Sequence, residues 1–205
     1  MERIEILYKS KYHLHMEKGL LIILSGPSGV GKGTVRKYLI DHFGMTFYYS
    51  ISMTTRAPRN GEENGKDYYF VTPEQFQKNI DEGNLLEWAE FVNNRYGTPR
   101  DIVESYREKG IDVLLEIETN GAKQVMARCP EALSIFLVPP SLEELEARIR
   151  GRQTENEATI QKRMAKAAEE MKLAPNYSYV VVNDDVVRAA TEIRDIILRA
   201  RGGQR

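Results

Sequence analysis

The sequence predicts an α/β fold in which a parallel sheet is flanked by helices on both faces. Three observations carry that expectation. Short apolar runs rich in β-branched residues, "LLIIL", "IDVLLEIE", "LSIFLVPP" and "YSYVVVNDD", alternate with helical patterns. The first run leads at once into the glycine-rich stretch "GPSGVGKGT" and then into a helix-spaced segment. Between that segment and "IDVLLEIE", a strand-rich stretch of about residues 48–98 interrupts the alternation.

The elements follow in order. "LLIILS" reads as a buried parallel strand. "KGTVRKYLIDHF" is a helix with Val35, Leu39, Ile40 and Phe43 on one face. "FYYSISMTTR", "KDYYFV" and "LLEWAEFV" read as short strands, with the turn-rich "RNGEENGK" between the first two. "TPEQFQKNIDEG" carries helix signals: Thr72 as N-cap, Pro73 at the first helical position, Gln75 completing a capping box and Gly83 as terminator. After the strand "IDVLLEIE" comes a helix through "GAKQVMARC", and "LSIFLVPP" ends at paired prolines. "SLEELEARIRGR" opens with a second capping box, Ser141 and Glu144. "TENEATIQKRMAKAAEEMKL" is a charged amphipathic helix, and Val186–Ala200 is the last one.

The 205 residues suffice for one domain with a sizeable core. The expected layout is an N-terminal extension, 1–18, poorly ordered and without chemistry, followed by a domain over 19–205. Within it the core is 19–47 and 99–205, the insert 48–98, and a short arginine-bearing lid spans about 150–160. Met16 is an alternative start. A net charge of −1 gives no general attraction to nucleic acid or anionic membrane, so anion binding must be local. The lone Cys129 excludes an intrachain disulfide and supplies no metal-ligand set; His13, His15 and His42 show no ligand spacing. No apolar run approaches the roughly 20 residues of a membrane span, and the N-terminus lacks a secretory signal pattern. A cytoplasmic protein is expected.

Residues Gly26, Pro27, Ser28, Gly29, Val30, Gly31, Lys32, Gly33 and Thr34 make a phosphate loop between strand and helix. Glycines let several backbone N–H groups point inward, the helix adds its positive N-terminal end, and Lys32 reaches outer phosphates. The residue after the lysine often touches Mg²⁺ through a hydroxyl. Here it is Gly33, so Mg²⁺ is expected to be held by nucleotide phosphates and water, without a direct protein ligand.

The insert supplies an acceptor side. Arg56 and Arg59, stiffened by Pro58, can grip a phosphate dianion with forked hydrogen bonds, and Tyr68 and Tyr96 can add phenol donors. Glu87 and Glu118 lie in apolar strand runs, where an acid is costly without a partner. A carboxylate matches the two adjacent donors on guanine's edge and fits adenine worse. Ser52 could contact the guanine carbonyl. Glu118 also reads as a strand-end acid bonded to backbone, and Glu116, two residues earlier, as a holder of the metal's water. Thr98, followed by Pro99, also fits a helix N-cap.

These residues resemble the guanylate kinase family. The likeness is carried by "GPSGVGKGT", "SISMTTRAPRNGEENGKDYYF", "EWAEF", "YGTP", "LLEIETNG", "PPSLEELEARIRGR" and "VNDD", and spans nearly everything from Leu20 to Ala200. It implies a P-loop fold, ATP and GMP as substrates, Mg²⁺ with ATP, and phosphorylation of GMP, and of dGMP, to the diphosphate. By resemblance Ser52, Arg56, Arg59, Tyr68, Glu87, Tyr96, Thr98 and Glu118 fall on GMP-binding positions. Lys32, Arg148, Arg152 and Arg163 fall on ATP and phosphoryl-transfer positions, with Lys32, Arg152 and Arg163 catalytic and Arg148 nearer the adenine or its phosphates. Asn183 matches a position near ATP. The chain departs from the family where Glu116 and Glu118 replace frequent Asp, Asn120 replaces Gln, and Thr98 replaces Ser. Two other functions compete: a kinase for AMP or UMP, and a catalytically dead protein-binding module. The two acids argue against the first, and intact Lys32, Arg152 and Arg163 against the second.

Overall fold

The structure, a computed structural model, describes residues 17–91, 93–151 and 156–202. Its centre is a parallel sheet in the order β2-β7-β1-β8-β9. The strands are β1 (Leu21–Ser25), β2 (Tyr48–Tyr49), β7 (Val113–Glu116), β8 (Leu133–Val138) and β9 (Tyr179–Val182). β1 is buried from end to end, and its side chains alternate between two cores. Leu20, Ile22 and Leu24 pack with Val35 and Leu39 of α1 (Lys32–Asp41) and with Ile193, Ile196 and Ile197 of α7 (Val186–Gly202). Leu21 and Ile23 pack with Val103 of α3 (Arg100–Glu108) and with Ala122 and Val125 of α4 (Thr119–Arg128). The period of two along one strand therefore builds the helix–sheet–helix sandwich. Ile40 sits at the rim, 39% exposed, and Phe43 packs against the core from beyond the end of α1.

The second sheet, β4-β3-β6-β5, comprises β3 (Met53–Thr54), β4 (Tyr69–Phe70), β5 (Leu85–Phe91) and β6 (Asn94–Pro99). The expected insert boundary at residue 48 is corrected here: Tyr48 and Tyr49 pair with Val113 and Leu114 in the parallel sheet. α2 (Pro73–Asp81) begins as its sequence signals require, with both halves of the Thr72–Gln75 capping box present. At Ser141 only half of the second box forms. Ser141 caps the Glu144 N–H at the start of α5 (Leu142–Arg150), while the Glu144 carboxylate turns to Arg148, 3.2 Å away. α4 ties the second sheet to the core. Gln124 exchanges two hydrogen bonds with the Trp88 backbone, and Arg128 donates to the carbonyls of Leu85 and Leu86. α6 (Glu157–Met171) packs on α5 through Leu145, Ile149, Ile160 and Ala167.

The far end of the sheet is closed by a buried acid. Asp112 accepts from the Leu20 N–H at 2.9 Å and from Arg201 Nε at 2.8 Å, fastening α7 to the starts of β1 and β7. Among the described residues no helix is long and apolar enough to cross a membrane.

Candidate active site

The strand order places β7 on one side of β1 and β8 on the other, so a crevice opens where their C-terminal ends diverge. The glycine loop fills this point. Gly26 has φ +142°, and a Cβ there would stand 2.3 Å from the Leu137 carbonyl oxygen, so neighbouring β8 requires a glycine. Gly31, at φ +101°, lies against Asn183, whose Nδ2 donates to the Val30 carbonyl at 2.7 Å. Arg148 in turn donates to the Asn183 carbonyl at 3.0 Å. Asn183 and Arg148, assigned from sequence to ATP, are thus placed behind the loop as a brace.

Lys32 opens α1 and bends back over the loop, donating to the carbonyls of Gly26 at 2.7 Å and Pro27 at 3.2 Å. Burial pulls its ammonium below the ordinary lysine range, opposed by the charges of Glu116, Glu170 and Glu118. These three acids and Thr34 line one cleft with the loop, about 370 Å³ in volume. Arg163 of α6 donates to Ser28 Oγ at 2.7 Å, which brings α6 onto the loop's outer side.

Glu118 departs from its expected setting. β7 ends at Glu116, and Glu118 is the N-cap residue of α4, with a side chain 71% exposed. It pairs with Lys166 at 2.9 Å, and Lys166 also reaches Glu170 at 3.7 Å. Glu87 matches the expected burial. It is 7% exposed and accepts from Thr98 Oγ1 at 2.6 Å. The reason lies in β5, where the pairing with β6 slips between Leu85 and Glu87. Leu85, Leu86 and Glu87 are all buried in succession across this irregularity. Burial raises the Glu87 carboxyl above the ordinary glutamate range, while the Thr98 hydrogen bond and the Arg128 charge oppose the rise. A Cβ on Gly121 would stand 2.8 Å from Glu87 Oε2, so that carboxylate lies against the first turn of α4, one turn from Glu118. The N-cap reading of Thr98 is corrected: α3 starts at Arg100 with Pro99 as N-cap, and the Thr98 hydroxyl is committed to Glu87.

Ser52, Tyr68 and Thr98 line a smaller cavity of about 100 Å³ with Tyr49, Glu116 and Ile117. Arg56 lies over the rings of Tyr68 and Phe70, at 5.2 and 5.8 Å, and pairs with Glu62 at 2.8 Å. Hydrogen bonds to Glu62 and Tyr96 raise its pKa further above an ordinary arginine's. Glu62 also accepts the Arg59 backbone N–H at 2.7 Å, which sets the turn holding both arginines. The Tyr96 and Tyr68 rings meet edge-on at 6.1 Å. Arg152 lies outside the described residues.

Three site residues escaped the sequence reading. Arg36 is four residues beyond Lys32, hence on the same helix face, and pairs with Glu116 at 2.9 Å. Lys166 and Glu170 follow Arg163 at helical spacing on the face that α6 turns toward the loop. The signal was present in the spacing, but a charged helix gives no sign of which polar face meets a partner.

Residues 18–200 match the family model described as "Guanylate kinase". The chain is 54% identical over 182 residues to the guanylate kinase of Bacillus subtilis strain 168, covering 89% of each. It is 53% identical over 180 residues to that of Latilactobacillus sakei, covering 88% of this chain and 89% of the relative. Among solved structures, the guanylate kinase of Anaplasma phagocytophilum superposes with a TM-score of 0.67 at 37% identity, covering 89% of this chain and 86% of that one.

Proposed function

Because the chain belongs to the guanylate kinase family, we propose that the glycine loop holds ATP and the second sheet holds GMP, with transfer across their junction. The activity is ATP-dependent phosphorylation of GMP to GDP. One observation supports this division of labour most directly. The loop cleft and the smaller cavity share Glu116 and Ile117, so the two spaces meet wall to wall.

Within this reading the roles follow from chemistry. Backbone N–H groups of residues 26–34 and the α1 N-terminus bind the triphosphate, and Lys32 swings from its loop carbonyls onto the outer phosphates. Asn183 and Arg148 keep the loop in shape. Arg56, Arg59, Tyr68 and Tyr96 grip the GMP phosphate, Arg56 exchanging Glu62 for it. Glu87 and Glu118 accept from the guanine edge and Ser52 addresses its carbonyl, Thr98 holding Glu87 in place. dGMP differs from GMP only at the ribose 2′ position and keeps the guanine edge and the phosphate that these residues address, which supports its acceptance too. The acceptor phosphate is already an anion at neutral pH, so no general base is required. Arg163 and Arg152 bring positive charge to the migrating phosphoryl group. Closure of the arginine-bearing segment and second sheet excludes water and spares ATP from hydrolysis.

The residues at the loop fit Mg²⁺, a cation that prefers hard oxygen donors and keeps much of its water. The Thr34 hydroxyl and the Glu116 carboxylate are the side chains that would hold it, through water, since Gly33 offers no hydroxyl. When bound it neutralises charge on the phosphate oxygens.

A coupled assay of ADP formation across GMP, dGMP, AMP and UMP tests the assignment. Turnover with both guanine nucleotides is expected, and comparable turnover with AMP or UMP would overturn the role given to Glu87 and Glu118.

A further inference from the structure

Arg36 touches both sides of the junction. Its Nε donates to Glu116 Oε2 at 2.9 Å, and its guanidinium lies 4.1 Å from the ring centre of Tyr49, which lines the acceptor cavity. The other oxygen of Glu116, Oε1, faces Gly33, where an added Cβ would stand 3.6 Å away. Both partners are shielded, the Arg36 side chain 29% and that of Glu116 18% exposed. We propose that Arg36 is a positioning residue for phosphoryl transfer. By holding Oε2 it presents Oε1 at Gly33, where that oxygen would hold the water of a bound Mg²⁺ in a loop that has no hydroxyl next to Lys32.

Competing attractions explain why a clamp is needed. Glutamate has three rotatable side-chain bonds, and an unheld Glu116 would be drawn to the Lys32 ammonium, cancelling charge meant for phosphate. A guanidinium held by a charge-assisted hydrogen bond on one side and an aromatic face on the other fixes the carboxylate by geometry as well as charge. The Tyr49 stack also links the clamp to the end of β2, where the chain leaves for the second sheet. A lysine at position 36 would keep the charge and lose the directed Nε hydrogen bond and the planar contact with Tyr49.

This inference rests on the reading that the loop holds Mg²⁺–ATP, and the test separates the two. Wild type, Arg36→Met, Arg36→Lys, Glu116→Gln and the Arg36→Met/Glu116→Gln double variant are compared by steady-state kinetics. Calorimetric binding of a non-hydrolysable ATP analogue with and without Mg²⁺ is the second readout. Arg36→Met is expected to lower kcat by about tenfold to a hundredfold, the scale of one hydrogen bond to a charged group, with the KM for GMP little changed. The gain in analogue affinity on adding Mg²⁺ should shrink alike in Arg36→Met and Glu116→Gln. The double variant should be no worse than Glu116→Gln, and Arg36→Lys should recover part of the loss. Multiplied losses in the double variant, or a Mg²⁺ gain in Arg36→Met equal to wild type, would overturn the clamp. Should Arg36→Met not fold, Arg36→Lys with an unaltered Mg²⁺ gain and kcat overturns it equally. A wild type that neither binds the analogue nor phosphorylates GMP would instead overturn the functional reading.

Discussion

Thr98 donates a 2.6 Å hydrogen bond to the Glu87 carboxylate, and both side chains are buried between the second sheet and α4. A buried carboxylate whose pKa is raised costs stability for as long as it is ionised. Below the ordinary glutamate pKa the folded and unfolded states are both protonated. As pH rises from there through the raised folded value, the unfolded chain ionises more easily and stability falls.

Glu87→Gln should therefore melt at a higher temperature than wild type at neutral pH. The difference should vanish below about pH 4, where glutamate is protonated in both states. The same variant should raise the KM for GMP about tenfold to a hundredfold, as expected for losing a hydrogen bond to a charged acceptor. Thermal melts from about pH 3 to 8, with GMP kinetics, check both halves. A neutral or lowered melting temperature at pH 7 would show that bound partners already compensate the charge.

Arg59→Ala should weaken GMP and spare ATP. Loss of one charge-assisted phosphate contact corresponds to about tenfold to a hundredfold in the KM for GMP. Its backbone contact with Glu62 does not depend on the side chain, so the turn should survive. Initial rates with each substrate varied in turn decide it, and a GMP KM unchanged from wild type would remove Arg59 from the phosphate clamp.

Asn183→Ala should act on the loop. It deletes the 2.7 Å bond to the Val30 carbonyl and leaves that buried acceptor without its partner, a cost of about 1–3 kcal/mol. The expected result is a lower melting temperature together with a raised KM for ATP. Denaturant titration and ATP kinetics read the two effects, and a loss confined to stability would show that the loop keeps its shape without the brace.

Arg201→Ala should separate stability from activity. Asp112 would keep the Leu20 N–H and lose its guanidinium, which costs about 1–3 kcal/mol. The pair sits at the start of β1, opposite the crevice, so kcat at a permissive temperature should not change. A kcat that falls in step with stability would connect the two ends of the sheet.

Much of the fold was legible because its signals are local. The continuous apolar run "LLIIL", the glycine loop ahead of a helical repeat, and the Thr72–Gln75 capping box all act over a few residues, and each appears as read. Boundaries were less legible. Tyr48–Tyr49 and Met53–Thr54 belong to one strand-like stretch in the sequence, yet they join different sheets, because the choice depends on partners far along the chain. Glu87 and Glu118 looked alike as acids in apolar runs. A slip in strand pairing buries Glu87, whereas β7 ends before Glu118 and leaves it at the mouth of a helix beside Lys166.

The sequence alone determined the chemistry available to this protein: a loop able to hold phosphate, arginines and acids suited to a second nucleotide, and the order of strands and helices around them. Only the tertiary structure decided how those groups are divided, with Asn183 behind the loop, Thr98 on Glu87, and Arg36 on Glu116 where the two clefts meet. The physical reason is that backbone preferences and apolar periodicity act between near neighbours. Which polar side chain meets which is set by packing between segments tens of residues apart.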